Sequence, residues 1–211
     1  MKTDELIAAL VEDRRATPPP ARLIARSLPF AVLGAVLLML LIAGLRDNLA
    51  QVATEPRFLF KFLVTLALAI PALGLLVRIA TPVPRAGAWA RALWLAPLLL
   101  LAAVLLELTV LPGAQWMPAA VGSNAGWCLM MVPLLAILPL AASIYCLRLS
   151  APASPARAGA VAGLASGALA AAIYALHCTD DSPLFVGVWY SIAVLFVSGV
   201  GALAAARLAR W

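Results

Sequence analysis

The sequence predicts an all-α, polytopic membrane protein: a bundle of six transmembrane helices preceded by a short amphipathic helix. Of its 211 residues, 65% are hydrophobic and only 11% are charged, whereas soluble domains are about half apolar. The apolar residues form six runs, each long enough to cross roughly 30 Å of hydrocarbon as a helix. The connections between the runs carry prolines, glycines and charged residues, which are typical of helix ends. No long connection remains to hold a separate soluble domain.

The predicted spans follow these runs along the chain. They are residues 28–45, 58–77, 92–111, 128–147, 158–176 and 184–206. We therefore expect two parts, a segment of residues 1–27 outside the membrane and a transmembrane domain of residues 28–211. The segment of residues 1–27 is rich in polar residues, and no small-residue cleavage site follows the first apolar run. We therefore expect no cleaved signal peptide.

The distribution of Lys and Arg predicts that both termini are cytoplasmic. Twelve of the 15 basic residues lie in the N-terminal segment, the second and fourth connections and the C-terminus. The other connections and span ends carry Arg46, Arg57 and Lys61, and the side with more Lys and Arg is normally cytoplasmic. The basic residues lie between apolar runs instead of forming one patch, so topology accounts for the net charge of +6 and we expect no direct contact with nucleic acid.

The stretch "HCTDDSP" in the fifth connection holds the only histidine of the chain. Cys178 follows the fifth span and Cys128 begins the fourth, so both cysteines are expected on the outer face. If these helix ends pack closely, the Cα atoms could come within the roughly 7 Å that a disulfide requires. Gly159, Gly163 and Gly167 form a small-residue stripe on the fifth span, which favours close packing and is expected to hold the cysteines within reach of each other.

Three interpretations of this stretch remain open. It suits a plain outer turn, since Asp and Ser favour bends and the following Pro183 suits the start of a helix. It also suits a reversible thiol switch, in which the two cysteines pair and the neighbouring His and Asp side chains tune the thiolate fraction. A metal site would use a mixed N, S and O ligand set from the same sensor candidates: Cys128, Cys178, His177, Asp180 and Asp181.

Two further ionisable or reactive residues lie in the spans. Cys146 is expected to be a small buried hydrophobic residue near the inner end of the fourth span. Glu107 is the only acid inside a predicted span, which makes it a candidate for function. It lies only about 6 Å of helix rise from the end of its run, so an interfacial position is favoured over a proton relay.

The N-terminal segment predicts an amphipathic helix that binds a protein groove. The predicted contact residues are Thr3, Asp4, Leu6, Ile7, Leu10 and Val11. Thr3 suits a helix N-cap and Asp4 the first turn, while the apolar members recur at helical spacing. The prolines at 18–20 end the helix and provide a stiff spacer. So short a helix is marginal alone in water, and its acidic polar face favours a protein groove over the lipid surface.

In its sequence, the chain resembles the NrsF family. The resemblance covers essentially the whole chain and is most specific in "MKTDELIAALVED" and "YALHCTDDSPLFVGVWY", together with "GWCLMMVPLLAILPLAA" in the fourth span. It implies a membrane-bound anti-sigma factor in a bacterial inner membrane, whose N-terminal segment holds an extracytoplasmic-function sigma factor of the sigma-F type until a stress arrives. It also implies an outward-facing cysteine pair used in sensing, at Cys128 and Cys178.

Two other functional classes are weaker alternatives. A small-solute transporter or channel is disfavoured because the spans hold almost no ionisable residues and no obvious inverted repeat. A membrane thiol oxidoreductase would need a paired redox motif, and the sequence contains no C-x-x-C. No catalytic triad, phosphate-binding loop or dinucleotide fingerprint is present either, so we expect neither an enzyme nor a cofactor.

Overall fold

The computed structural model describes residues 3, 18–81, 83–84 and 87–209. These residues form helices and no strands, which confirms the all-α prediction. Six of the helices are long and apolar enough to cross a membrane. They are α1 Pro20–Ile42, α2 Pro56–Ile79, α3 Gly87–Val110, α4 Ala125–Ser150, α5 Pro155–Tyr174 and α6 Pro183–Leu208.

Proline determines where four of these helices begin. Pro20, Pro56, Pro155 and Pro183 each occupy the first turn, where the missing N–H costs nothing and the fixed φ suits a helix. As a result α1 begins well before residue 28, the predicted start of the first span. Residues 20–27 are therefore part of the α1 helix, and the predicted stiff spacer is reduced to the residues just before Pro20.

Helix α5 lies at the centre of the bundle and packs against α6, α2 and α4. Its glycine stripe faces α6: a Cβ atom on Gly159 would lie 2.2 Å from the carbonyl oxygen of Gly201, and one on Gly163 would lie 2.4 Å from that of Val197. Only glycine allows so close an approach of two helix backbones. The stripe therefore joins α5 to α6, and the expectation that it holds the cysteines of α4 and the fifth connection together is wrong.

Helix α3 lies at the edge of the bundle and is interrupted between Ala92 and Leu95. Between it and α2, α5 and α6 lies an apolar cavity of about 520 Å³. Its lining is hydrocarbon apart from polar groups on the side chains of Thr65, Trp94, Tyr190 and Ser191. Such a lining suits hydrocarbon and offers no charged group to a polar solute.

Three connections meet at one end of the bundle. The backbone N–H of Arg46, after α1, donates to the carbonyl oxygen of Leu176, after α5, at 3.2 Å. The indole N–H of Trp189 in α6 donates to the carbonyl oxygen of Ala120, before α4, at 2.9 Å. The first, third and fifth connections thus share one end, as alternating spans require.

The predicted partner-binding helix falls almost wholly outside the described residues. Of its six predicted contact residues, only Thr3 is described, and it is helical and exposed. Asp4, Leu6, Ile7, Leu10 and Val11 lie outside the described residues, so their role stays a prediction.

Candidate functional site

A cluster of charged and thiol side chains lies where the three connections meet. We call this cluster the polar corner, and its members are Arg46, Lys61, Cys128, Cys178, Asp180 and Asp181. Four of them are buried, namely both cysteines, Arg46 and Lys61. The polar corner therefore places ionic groups in a region with little water, where each needs a partner.

Asp181 is the counter-ion for two cations. Its carboxylate lies 2.6 Å from Lys61 Nζ and 3.0 Å from Arg46 Nη1. The Lys61 side chain is fully buried and the Arg46 side chain is 4% exposed, whereas that of Asp181 is 20% exposed. One carboxylate cannot neutralise two positive charges, so the second cation depends on other oxygen atoms.

The backbone of Cys178 supplies the next of these oxygen atoms. Its carbonyl oxygen accepts a hydrogen bond from Lys61 Nζ at 2.8 Å and another from Arg46 Nη1 at 3.3 Å. Both cations also lie 5.6 Å from the centre of the Phe58 ring, within the range of a cation–π contact. The peptide that carries the Cys178 thiol is thus part of what stabilises two buried charges.

Asp180 has a different role from its neighbour, because its carboxylate binds the N-terminus of α4. Oδ2 accepts hydrogen bonds from the backbone N–H groups of Asn124 at 2.7 Å and Ser123 at 3.0 Å, and from Asn124 Nδ2 at 2.9 Å. A helix N-terminus presents free N–H groups and a positive dipole end, which favour a carboxylate. Cys128 lies in the first turn of α4, so this contact brings the Cys178 connection to the turn that carries Cys128.

Gly122 makes the approach of Asp180 possible. Its φ is +59°, a left-handed conformation that glycine adopts without steric cost. A Cβ atom there would lie 2.5 Å from the Phe185 ring and 2.7 Å from Asp180 Cγ. The turn before α4 therefore needs glycine for its conformation and for the close contact.

Cys128 and Cys178 are free thiols and neither is exposed to solvent. Both belong to the same cluster of buried core residues, and the charge of Lys61 acts on both. Burial raises the pKa of the Cys178 thiol, while the positive charge of Lys61 acts in the opposite direction. The thiol donates to the Asp180 carbonyl oxygen at 3.7 Å. The Cys178 thiol is therefore protonated at neutral pH and, as a thiol, is a weak nucleophile.

Two tyrosines surround the Cys178 thiol. The hydroxyl groups of Tyr174 and Tyr190 are buried and interact with the Cys178 side chain, although neither makes a hydrogen bond of ordinary geometry. Tyr190 ends a π-helical turn of α6, Val186–Tyr190, a distortion that is frequent at functional sites.

The histidine lies among aromatic rings. The His177 ring centre is 6.0 Å from that of Tyr174 and 6.4 Å from that of Trp127, and its buried Nδ1 has no hydrogen-bond partner. Within residues 3, 18–81, 83–84 and 87–209, no group of three or more His, Cys, Asp or Glu side chains has a geometry that could hold a metal ion. The five predicted sensor residues thus lie at one end of the bundle, with the histidine turned towards aromatic neighbours and both carboxylates bound by protein groups.

The other two candidates, Cys146 and Glu107, contact neighbouring helices. Cys146 is buried with its Sγ atom 3.4 Å from Ser27 Oγ of α1. Glu107 is buried near the end of α3, with Arg57 Nη2 at 3.4 Å from Oε1. Its Oε2 accepts from Ser182 Oγ at 2.7 Å and from the Leu184 N–H at 3.0 Å, so this carboxylate binds the N-terminus of α6.

Sequence reasoning missed the two cations of the polar corner, because it treated Arg46 and Lys61 only as indicators of topology. The signal for Lys61 was present: it lies inside the predicted span 58–77, and a cation in a span needs a counter-ion. The nearby connections contain few carboxylates, so Asp181 could have been proposed as that partner. Arg46 lies in a connection and gave no comparable signal.

Comparisons with known proteins identify the family to which this chain belongs. A family model described as "NrsF: Negative regulator of sigma F" matches residues 10–211. The chain is 30% identical over 213 residues to the probable anti-sigma-F factor NrsF of Azospira oryzae and 30% identical over 230 residues to the anti-sigma-F factor NrsF of Caulobacter vibrioides, in each case over 100% of both chains. No solved structure matches. The chain belongs to the NrsF family, the negative regulators of sigma F.

Proposed function

We propose that this chain is a membrane-anchored anti-sigma factor of the inner membrane that releases an extracytoplasmic-function sigma factor when Cys128 and Cys178 react with an oxidant or a soft metal ion. The observation that carries the proposal is the burial of two free thiols from different parts of the chain, which Asp180 brings together by binding the N-terminus of α4. A buried pair of this kind is stable at rest and changes the packing around it when it reacts.

The proposed oxidation joins the two sulfur atoms. Two thiols lose two protons and two electrons, and an S–S bond forms. A two-electron oxidant such as hydrogen peroxide accepts the electrons and protons as its O–O bond breaks to give two molecules of water. The S–S distance in a disulfide is about 2.05 Å and its dihedral angle is restricted. Cys178 and the first turn of α4 must therefore adjust to each other.

A soft metal ion would act through the same sulfur atoms. Thiolates are the protein ligands that soft ions prefer, and binding would release the two thiol protons. Because the carboxylates of Asp180 and Asp181 are already bound by protein groups, such an ion would depend mainly on sulfur.

The effector in this proposal is the N-terminal segment. Its apolar residues Leu6, Ile7, Leu10 and Val11 recur at helical spacing. The excess of Lys and Arg on that side of the predicted spans supports a location in the cytoplasm, where a sigma factor acts. Reaction at the polar corner releases the sigma factor only if the reacted and unreacted states bind it differently. A coupling of about 1 to 3 kcal/mol changes the affinity roughly 5- to 150-fold.

The test measures target-gene transcripts in the native cell after exposure to diamide, a two-electron thiol oxidant, and separately to a soft metal ion. Cys128→Ser and Cys178→Ser should each make the transcript level independent of the oxidant or metal ion, either low or high throughout, while the protein stays in the membrane. Cys146→Ser is the matched control, because that thiol lies beside Ser27 at the other end of α4, and it should respond normally. A normal response in both of the first two variants would contradict the sensor proposal.

The effector part needs a separate test. Full-length protein carrying Leu6→Asp and Leu10→Asp is purified from membranes, and co-purifying proteins are identified by mass spectrometry. The unchanged protein should retain a sigma factor and the double variant should lose it. Equal retention by both would place the binding surface elsewhere in the chain.

A further inference from the structure

We propose that Arg46 is a positioning residue that couples the state of Cys178 to α1, and hence to the N-terminal segment. This inference rests on the proposed function, since it describes how a reaction at the thiols reaches the effector. Three structural links connect the thiol to the effector: the Cys178 peptide to Arg46, Arg46 to α1, and α1 to the opposite end of the bundle.

The first link is the Cys178 peptide. Its carbonyl oxygen accepts from Lys61 Nζ and Arg46 Nη1 at 2.8 and 3.3 Å, and the same residue carries the thiol. One Asp181 carboxylate serves both cations, so this carbonyl supplies part of the stabilisation that a second buried charge requires. Any rotation of the peptide that a disulfide imposes changes the bond to Arg46.

The second link is the position of Arg46 in the chain. It follows α1 by only a few residues, which include Gly44 with φ of +71°. Its backbone N–H donates to Leu176 at 3.2 Å and its Nε donates to Asn48 Oδ1 at 2.8 Å. Arg46 is therefore bound to the segment after α5 through its backbone and to Cys178 and Asp181 through its guanidinium group, and only three residues connect it to the end of α1.

The third link is α1 itself. It is one continuous helix from Pro20 to Ile42, which spans about 35 Å at 1.5 Å per residue. It packs along α4, and the contact between Ser27 and Cys146 at 3.4 Å lies near its far end. Pro29 inside α1 removes one of its hydrogen bonds, but the helix is continuous, so a shift at Arg46 is transmitted along it to Pro20, which lies directly after the N-terminal segment.

The test uses the full-length chain purified with its bound sigma factor and oxidised with diamide. Two quantities are measured in the same sample: the fraction of Cys128 and Cys178 joined, from mobility shifts after alkylation, and the fraction of sigma factor released. In Arg46→Gln, Asp181 keeps Lys61 as its partner, so the fold should be retained. We expect the cysteines of this variant to join as in the unchanged protein. The amount of sigma factor released with oxidant, divided by the amount released without it, should be at least tenfold lower in the variant than in the unchanged protein.

Two variants serve as controls. Arg46→Lys keeps a positive charge that can reach Asp181, and it should recover part of the release. Arg57→Gln removes a cation at the same end of the bundle, but one that pairs with Glu107, and it should leave the coupling unchanged.

The outcomes separate this inference from the proposed function. Full release in Arg46→Gln would overturn the coupling role while leaving the cysteine sensor intact. Failure of the cysteines to join in that variant would also overturn the coupling role. Arg46 would then affect disulfide formation itself and not the step from the disulfide to release of the sigma factor. Absence of release in the unchanged protein, despite a complete disulfide, would instead contradict the proposed function itself. If Arg46→Gln does not fold, Asn48→Ala, which removes only the acceptor for Arg46 Nε, should give a smaller loss of release, and unchanged release there would overturn the inference.

Discussion

Asp180 Oδ2 accepts a 2.7 Å hydrogen bond from the backbone N–H of Asn124. A carboxylate two residues after Cys178 thus binds the N-terminus of α4, the helix that carries Cys128 in its first turn. This contact, and not the glycine stripe of α5, joins the segment that carries Cys178 to the helix that carries Cys128. Its loss should therefore affect the joining of the cysteines more than the insertion of the protein.

Asp180→Asn is expected to slow disulfide formation by about fivefold under diamide. The amide loses the negative charge that the helix N-terminus favours, a loss of about 1 kcal/mol, and a comparable shift in barrier gives that factor. The rate is measured by alkylation and gel mobility. Asp47→Asn is the control, since Asp47 is exposed in the first connection, and an equal slowing in both variants would contradict the role of Asp180.

The stability of the polar corner should depend unequally on its charges. Asp181→Asn leaves two buried cations without a counter-ion and should destabilise the protein by about 3 kcal/mol or more. Lys61→Met leaves the Asp181–Arg46 pair intact and should cost only about 1 kcal/mol, the value of a lost hydrogen bond. Thermal unfolding in detergent gives the order, and a larger loss for Lys61→Met would contradict the assignment of Asp181 as the shared counter-ion.

Two glycines near the start of α4 should respond in opposite ways to alanine. Gly122→Ala must place a Cβ atom against Phe185 and Asp180, and a non-glycine residue at φ of +59° and ψ of −165° alone costs roughly 1 to 3 kcal/mol. At Gly126, within α4, nothing lies within 4 Å of the added atom, and alanine should stabilise the helix by about 0.5 to 1 kcal/mol. Equal melting temperatures for the two variants would contradict the account of this turn.

The alkylation of Cys178 should be slow at neutral pH and rise steeply in alkaline solution. Burial raises the pKa of this thiol, so the thiolate fraction at pH 7 is smaller than for a free cysteine, whose pKa is about 8.5. Lys61 lowers the same pKa, so Lys61→Met should shift the rate profile to still higher pH. The rates are measured in a Cys128→Ser, Cys146→Ser background. A profile centred at or below pH 8.5 would show that the thiol is not held in a buried, protonated state.

The sequence was sufficient to predict the six helices and the end of the bundle where the cysteines lie, because hydrophobic run length and alternation of spans determine both. It did not reveal how Asp180 and Asp181 divide their roles, since two adjacent carboxylates look alike until the partners are placed. Asp180 reaches backbone N–H groups of the third connection, and Asp181 reaches side chains of the first connection and α2. Such contacts between distant segments depend on helix rotation, which the apolar pattern does not determine.

Release of bound sigma factor from the purified full-length chain should be followed as diamide is added. We predict that release follows the fraction of Cys128 joined to Cys178, is reversed by a dithiol reductant, and is absent in Cys128→Ser and Cys178→Ser. Release that continues in both variants, or a sigma factor that stays bound when the disulfide is complete, would contradict it.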